Sequence, residues 1–95
     1  MVFCSPSGNT SGSSSKEQSD LESHLHIEID TYRDFIVNGK PKTGMALLEK
    51  LKDNIWEKAS NRIKFRITTN IGAALLHLGD EESAANLFLS AIVYD

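Results

Sequence analysis

The sequence predicts an all-α fold of two antiparallel helical hairpins, four helices in all, and three observations predict it. Apolar residues recur every three or four positions from Leu21 onwards, which is the period of an amphipathic helix. Asn38-Gly39 and Gly79-Asp80 interrupt those stripes as helix-ending turns forty residues apart. Gly72, Ala84 and Ala91 carry little side chain, so helix backbones can approach closely there, with Phe88 filling the groove between them.

The first helix is expected to start at Ser19, where Ser19 and Glu22 form a capping-box pair and Asp20 suits the positive end of the dipole. Its stripe is Leu21, Leu25, Ile29, Tyr32 and Ile36. Pro41 is tolerated in the first turn of a second helix, whose stripe is Gly44, Leu48, Leu51 and Ile55, with Met45, Leu47 and Trp56 beside it. Glu57 to Asn61 is polar apart from Ala59, and Ser60 or Asn61 can cap a third helix. Phe65 to Thr69 read alone favours a strand, because β-branched residues are dense there. The longer stripe of Ile63, Ile67, Ile71, Ala74, Leu75 and Leu78 outweighs that preference. Asp80, Glu81 and Glu82 open a fourth helix that runs through Leu87, Phe88, Ile92 and Val93.

Residues 1–18 are dominated by Ser, Gly, Thr and Asn and offer almost nothing to bury, so a disordered tail is expected there. The helical domain is then 19–95, with hairpins 19–58 and 60–95. About seventy-five residues is near the size at which a single core becomes marginal. The net charge of -3 points to no counter-charged partner. Cys4 is the only cysteine, which excludes an intramolecular disulfide and fits a reducing, cytoplasmic setting. No apolar run reaches the ~20 residues of a membrane span, and the first residues lack the basic and apolar stretches of a signal peptide. Asn9-Thr10-Ser11 fits a glycosylation acceptor by coincidence.

Aligning Gly39 with Gly79 brings both hairpins into register: Tyr32 matches Gly72, Phe35 matches Leu75, Gly44 matches Ala84, Leu48 matches Phe88 and Leu51 matches Ala91. The stretch Phe65 to Asp95 resembles a tetratricopeptide (TPR) repeat in its first-helix glycine, its Gly-Asp turn and its Ala84, Phe88, Ala91 series. Leu25 to Leu51 matches less well, because Tyr32 stands where the close-contact glycine would be. The forty-residue offset exceeds the 34 of the family, with the surplus around Asn54 to Asn61. An irregular four-helix bundle carries the same stripes and stays open as an alternative.

The resemblance implies stacking as the start of an α-solenoid, the leading piece of a longer array, and a protein–protein interaction scaffold that binds a peptide or helix on its concave face. It puts His26, Ile29, Asp30 and Arg33 of the first hairpin on that face, with Arg66, Thr69, Asn70, Ala73 and His77 of the second. Arg33, Arg66, Thr69, Asn70 and His77 are the expected partner-binding residues, and Asn70 leads because its amide both donates and accepts. Thr69 and Ala73 stand where the family's carboxylate-clamp residues would be, which disfavours binding of a peptide's terminal carboxylate. The fourth helix leaves Leu89, Ile92 and Val93 on an apolar side, and self-association, a homodimer through this helix, is expected from it. An oligomerisation module, or a regulatory segment of a larger enzyme or nucleic-acid-binding protein, are the rival readings.

The basic residues between Lys40 and Arg66 spread around two helices and intermix with Glu49, Asp53 and Glu57, so they read as a solvated surface and disfavour nucleic acid as the partner. His24 and His26 point different ways on a helix, and no Cys or acid joins His77 in a metal-ligand pattern. No phosphate loop, nucleophile elbow or HExxH motif is present, so no catalytic, cofactor or metal residue is expected.

Overall fold

The computed structural model describes residues 10–95, with side chains from residue 19. Cys4, Asn9 and the first half of the expected tail lie outside the described residues. Helix α1 spans Thr10–Val37, α2 Pro41–Ile55, α3 Asn61–His77 and α4 Glu81–Ala91. Short 3-10 turns at Trp56–Lys58 and Ile92–Tyr94 extend α2 and α4. The fold is all-α, with no strand among the described residues; the strand preference of Phe65 to Thr69 gives way to the helical stripe around it.

Helix α1 starts nine residues before the expected capping position at Ser19. Once a helix is nucleated, each further residue adds a hydrogen bond at low cost, and no proline interrupts Thr10 to Ser19. The other helix starts follow the sequence more closely. Ser60 caps α3, its hydroxyl accepting from the Ile63 amide at 3.3 Å, and the Asp80 carboxylate caps α4, accepting from the Ser83 amide at 3.1 Å.

The two hairpin turns are the same structure repeated at an offset of forty residues. Gly39 and Gly79 have φ of 93° and 88°, the left-handed region that glycine enters without a Cβ penalty. The Lys40 amide donates to the Phe35 carbonyl at 2.7 Å, and the Asp80 amide to the Leu75 carbonyl at 2.9 Å. The Gly39 and Gly79 amides donate to Ile36 and Leu76. These paired bonds are the Schellman closure of α1 and of α3. Helix ends at 37 and 77 and helix starts at 41 and 81 keep the same spacing.

Helix α1 packs on α2 and on α3, α2 packs on α3, and α3 packs on α4. The core runs through Leu25, Ile29, Ile36, Leu48, Leu51, Ile63, Ile67, Ile71 and Ala74, with Leu75 and Leu87 partly buried against it. Ala84 and Ala91 are also buried. The two hairpins achieve their close crossings differently. A Cβ on Gly72 would lie 2.7 Å from the Phe88 ring, so in the second hairpin the glycine is on the first helix and the ring of the second covers it. A Cβ on Gly44 would lie 2.7 Å from the Tyr32 carbonyl oxygen and 2.6 Å from Ile36 Cγ1. In the first hairpin the glycine is therefore on the second helix and meets backbone.

Candidate interaction surface

Helices α1 and α3 lie side by side, and Arg66 ties them together. Its guanidinium donates to Asp30 Oδ1 and, at 2.9 Å, to His26 Nδ1. A longer bond of 3.4 Å reaches the His26 carbonyl. Guanidinium has no acceptor, so His26 Nδ1 accepts and its proton sits on Nε2, which faces Glu22 Oε2 at 3.7 Å. Hydrogen bonding from Arg66 holds the Asp30 carboxyl below its ordinary value of 3.8. Asp30 remains largely exposed, so water screens the pair.

The other expected binding residues continue along the same pair of helices. Arg33 is exposed, one turn beyond Asp30, and His77 is exposed near the C-terminal end of α3. Asn70 and Thr69 are half-buried and partly used by their own helix. The Asn70 amide donates to the Arg66 carbonyl at 2.7 Å, and the Thr69 hydroxyl donates to the Phe65 carbonyl at 2.9 Å. Asn70 keeps its side-chain carbonyl free of that bond, so acceptance is the easier of its two roles. Ile29 departs from the expected surface. It is fully buried in the core, because its place in the Leu25, Ile29, Ile36 stripe turns it towards α2 and α3.

Beside this face, the Tyr32 hydroxyl donates to Glu28 Oε2 at 2.7 Å, and the carboxylate pushes the phenol above its ordinary value of 10.0. A cleft of about 560 Å³ opens where α1 meets the inter-hairpin linker, lined by Leu21, Glu22, Leu25, Lys58, Ala59, Ser60 and Ile63. None of the five expected binding residues lines it.

The sequence reading missed two long-range arrangements. The Arg66–Asp30 pair joins residues 36 apart, and only their shared helix face hinted at it. The Trp56 ring meets Tyr94 edge-on at 5.5 Å, with the Lys52 and Lys64 ammonium groups 4.8 and 5.4 Å from its centre. Lys64 comes from α3 and Lys52 from α2, and nothing in the period of the sequence marks Tyr94 as the ring's other neighbour. Leu89 on α4, and Ile92 and Val93 in the 3-10 turn that extends it, are 65%, 63% and 73% exposed.

Among the described residues, no group of three or more His, Cys, Asp or Glu side chains is arranged to hold a metal ion. His24 Nδ1 lies 2.8 Å from the Asp20 carbonyl, and His26 is engaged by Arg66. No described helix is long and apolar enough to cross a membrane. No family model matches the chain, and no curated protein or solved structure matches it.

Proposed function

We infer that the chain is a protein–protein interaction module without catalysis of its own, working in a reducing, cytoplasmic setting. The reading is tetratricopeptide-like: helical hairpins stack, and the first helix of each lines a face that receives a peptide or a helix. The observation that carries it is the adjacency of α1 and α3, with Arg33, Arg66, Thr69, Asn70 and His77 along the two. Arg66 is already bound to Asp30, so a partner's carboxylate competes for it, whereas Arg33 and His77 are reachable without rearrangement. A face built on packed helices carries little ordering cost on the receptor side.

Selection of a random-peptide library against the folded chain tests this. Peptides recovered should lose binding with Arg33→Glu and with Asn70→Ala, and keep it with Val93→Asp. Peptides indifferent to both α1–α3 changes contradict the reading.

A second reading, an oligomerisation module, is favoured by a separate observation: the exposure of Leu89 on α4 and of Ile92 and Val93 in the 3-10 turn that extends it. It expects Leu89→Asp or Val93→Asp to change assembly and Asn70→Ala to do nothing. Light scattering decides it.

A further inference from the structure

Three contacts hold Arg66 across the α1–α3 junction, and they respond to protons differently. One is the Asp30 carboxylate, which hydrogen bonding from Arg66 holds below its ordinary value of 3.8. The other two belong to His26. Its ring Nδ1 accepts from the guanidinium at 2.9 Å, and its backbone carbonyl accepts at 3.4 Å. The ring bond is the shorter, and it exists only while the imidazole is neutral. An imidazolium carries a proton on both nitrogens, so neither a tautomer change nor a ring flip supplies an acceptor. Protonation of His26 sets N–H against N–H, and cation against cation, at this contact.

The surroundings decide which side gives way. On its own helix His26 faces Glu22, whose Oε2 lies 3.7 Å from Nε2, across the ring from the nitrogen that meets Arg66. Protonation strengthens that pair and draws the ring away from the guanidinium. The Asp30 carboxylate acts on His26, Arg33 and Arg66 together. From α3 the facing charge is Arg66 itself, and from the linker Lys58 shares a cleft wall with Glu22. Among the described residues, no hydrogen bond or ion pair from α2 or α4 reaches His26. Arg66 also has a direction in which to move. The Asp30 side chain is 62% exposed, so a guanidinium that keeps this partner and leaves His26 turns towards solvent.

We propose that His26 is a pH-sensitive latch on the α1–α3 junction, closed on Arg66 when its imidazole is neutral and open when it is protonated. Imidazole is the side chain whose charge ordinarily changes between about pH 5 and 8. Carboxylates titrate near about 4, below that window, so the Arg66–Asp30 pair persists while the latch opens. The open state leaves the two hairpins joined at this point by one exposed ion pair instead of three contacts. The latch needs no partner and does not depend on what the α1–α3 face binds.

Nuclear magnetic resonance of the full chain, titrated from about pH 8 to about pH 5, tests it. The His26 ring carbons and Arg66 Nε should move together with one shared midpoint. His26→Gln supplies an acceptor that does not titrate, so Arg66 Nε should then stay flat, whereas His24→Gln should leave its titration unchanged. A double-mutant cycle of His26→Ala and Arg66→Ala, read by urea denaturation, should show favourable coupling at the upper end of the range and its loss at the lower end. Circular dichroism confirms that each variant stays helical, and the wild-type titration needs no variant. An Arg66 signal that does not follow His26, an equal titration in His26→Gln, or a coupling that is the same at both ends overturns the proposal. None of these measurements uses a peptide, so failure of the latch is distinct from failure of peptide binding, which is read with Arg33→Glu and Asn70→Ala.

Discussion

Two glycines show how the same need for proximity is met with different tolerance. A methyl group on Gly72 would press on the edge of the Phe88 ring, which can tilt. A methyl group on Gly44 would press on the Tyr32 carbonyl, which is part of a helix and cannot move alone. Alanine gains up to about 1 kcal/mol of helix propensity over glycine at either position. Overpacking costs about 1–3 kcal/mol where the surroundings are fixed. Gly44→Ala should therefore destabilise the fold in urea titrations, and by more than Gly72→Ala, which should be near neutral. Equal effects would mean that the two crossings are not different in kind. Asp30 offers a second test at this scale. Its folded value is lowered, so its stabilising contribution is present above 3.8 and is lost as pH falls below it. Asp30→Asn should remove part of the acid sensitivity of the wild-type chain below about pH 4 and leave neutral stability little changed. An Asp30→Asn variant with an unaltered acid limb would show that the Arg66 contact is not kept in solution.

Within the helices, the sequence was most legible where local chemistry decides. Gly39, Gly79, Ser60, Asp80 and Pro41 sit where turn and cap chemistry puts them, and Gly44, Leu48 and Leu51 of α2 and Ile63, Ile67, Ile71 and Ala74 of α3 are buried along their stripes, whereas Thr68 is buried off the stripe and Leu78 is exposed at its end. The start of α1 was not legible, because helix propagation through weak formers leaves no residue-level mark. Ile29 was misplaced for a different reason. The family's concave face includes that position, but in this helix the Leu25, Ile29, Ile36 stripe turns it into the core. The Arg66–Asp30 and Trp56–Tyr94 contacts depend on how whole helices lie against one another, which periodicity does not encode. Removing a cap tests the element scale directly. Ser60→Ala and Asp80→Ala should each cost about 0.5–2 kcal/mol, with Asp80→Ala the larger because the carboxylate also meets the helix dipole. Denaturation midpoints that do not move would remove these caps from the account of where α3 and α4 begin.

For the whole molecule, one surface joins α1 to α3 and another lies bare on α4, and the C-terminal turn connects the second to the core. Trp56 is the only tryptophan, so its emission reports on that junction alone. Tyr94→Ala should shift Trp56 emission and cost about 0.5–1.5 kcal/mol beyond the lost area. Unchanged emission would mean that the C-terminal turn does not rest on Trp56. The central claim is that the α1–α3 face receives a protein partner. Backbone amide chemical shifts, recorded while a library-selected peptide is titrated into the folded chain, test it most directly. The expected result is a continuous set of perturbed amides around Arg33, Arg66, Asn70 and His77, with α4 unmoved. Perturbation confined to α4, or to the cleft beside Lys58 and Ser60, would contradict it.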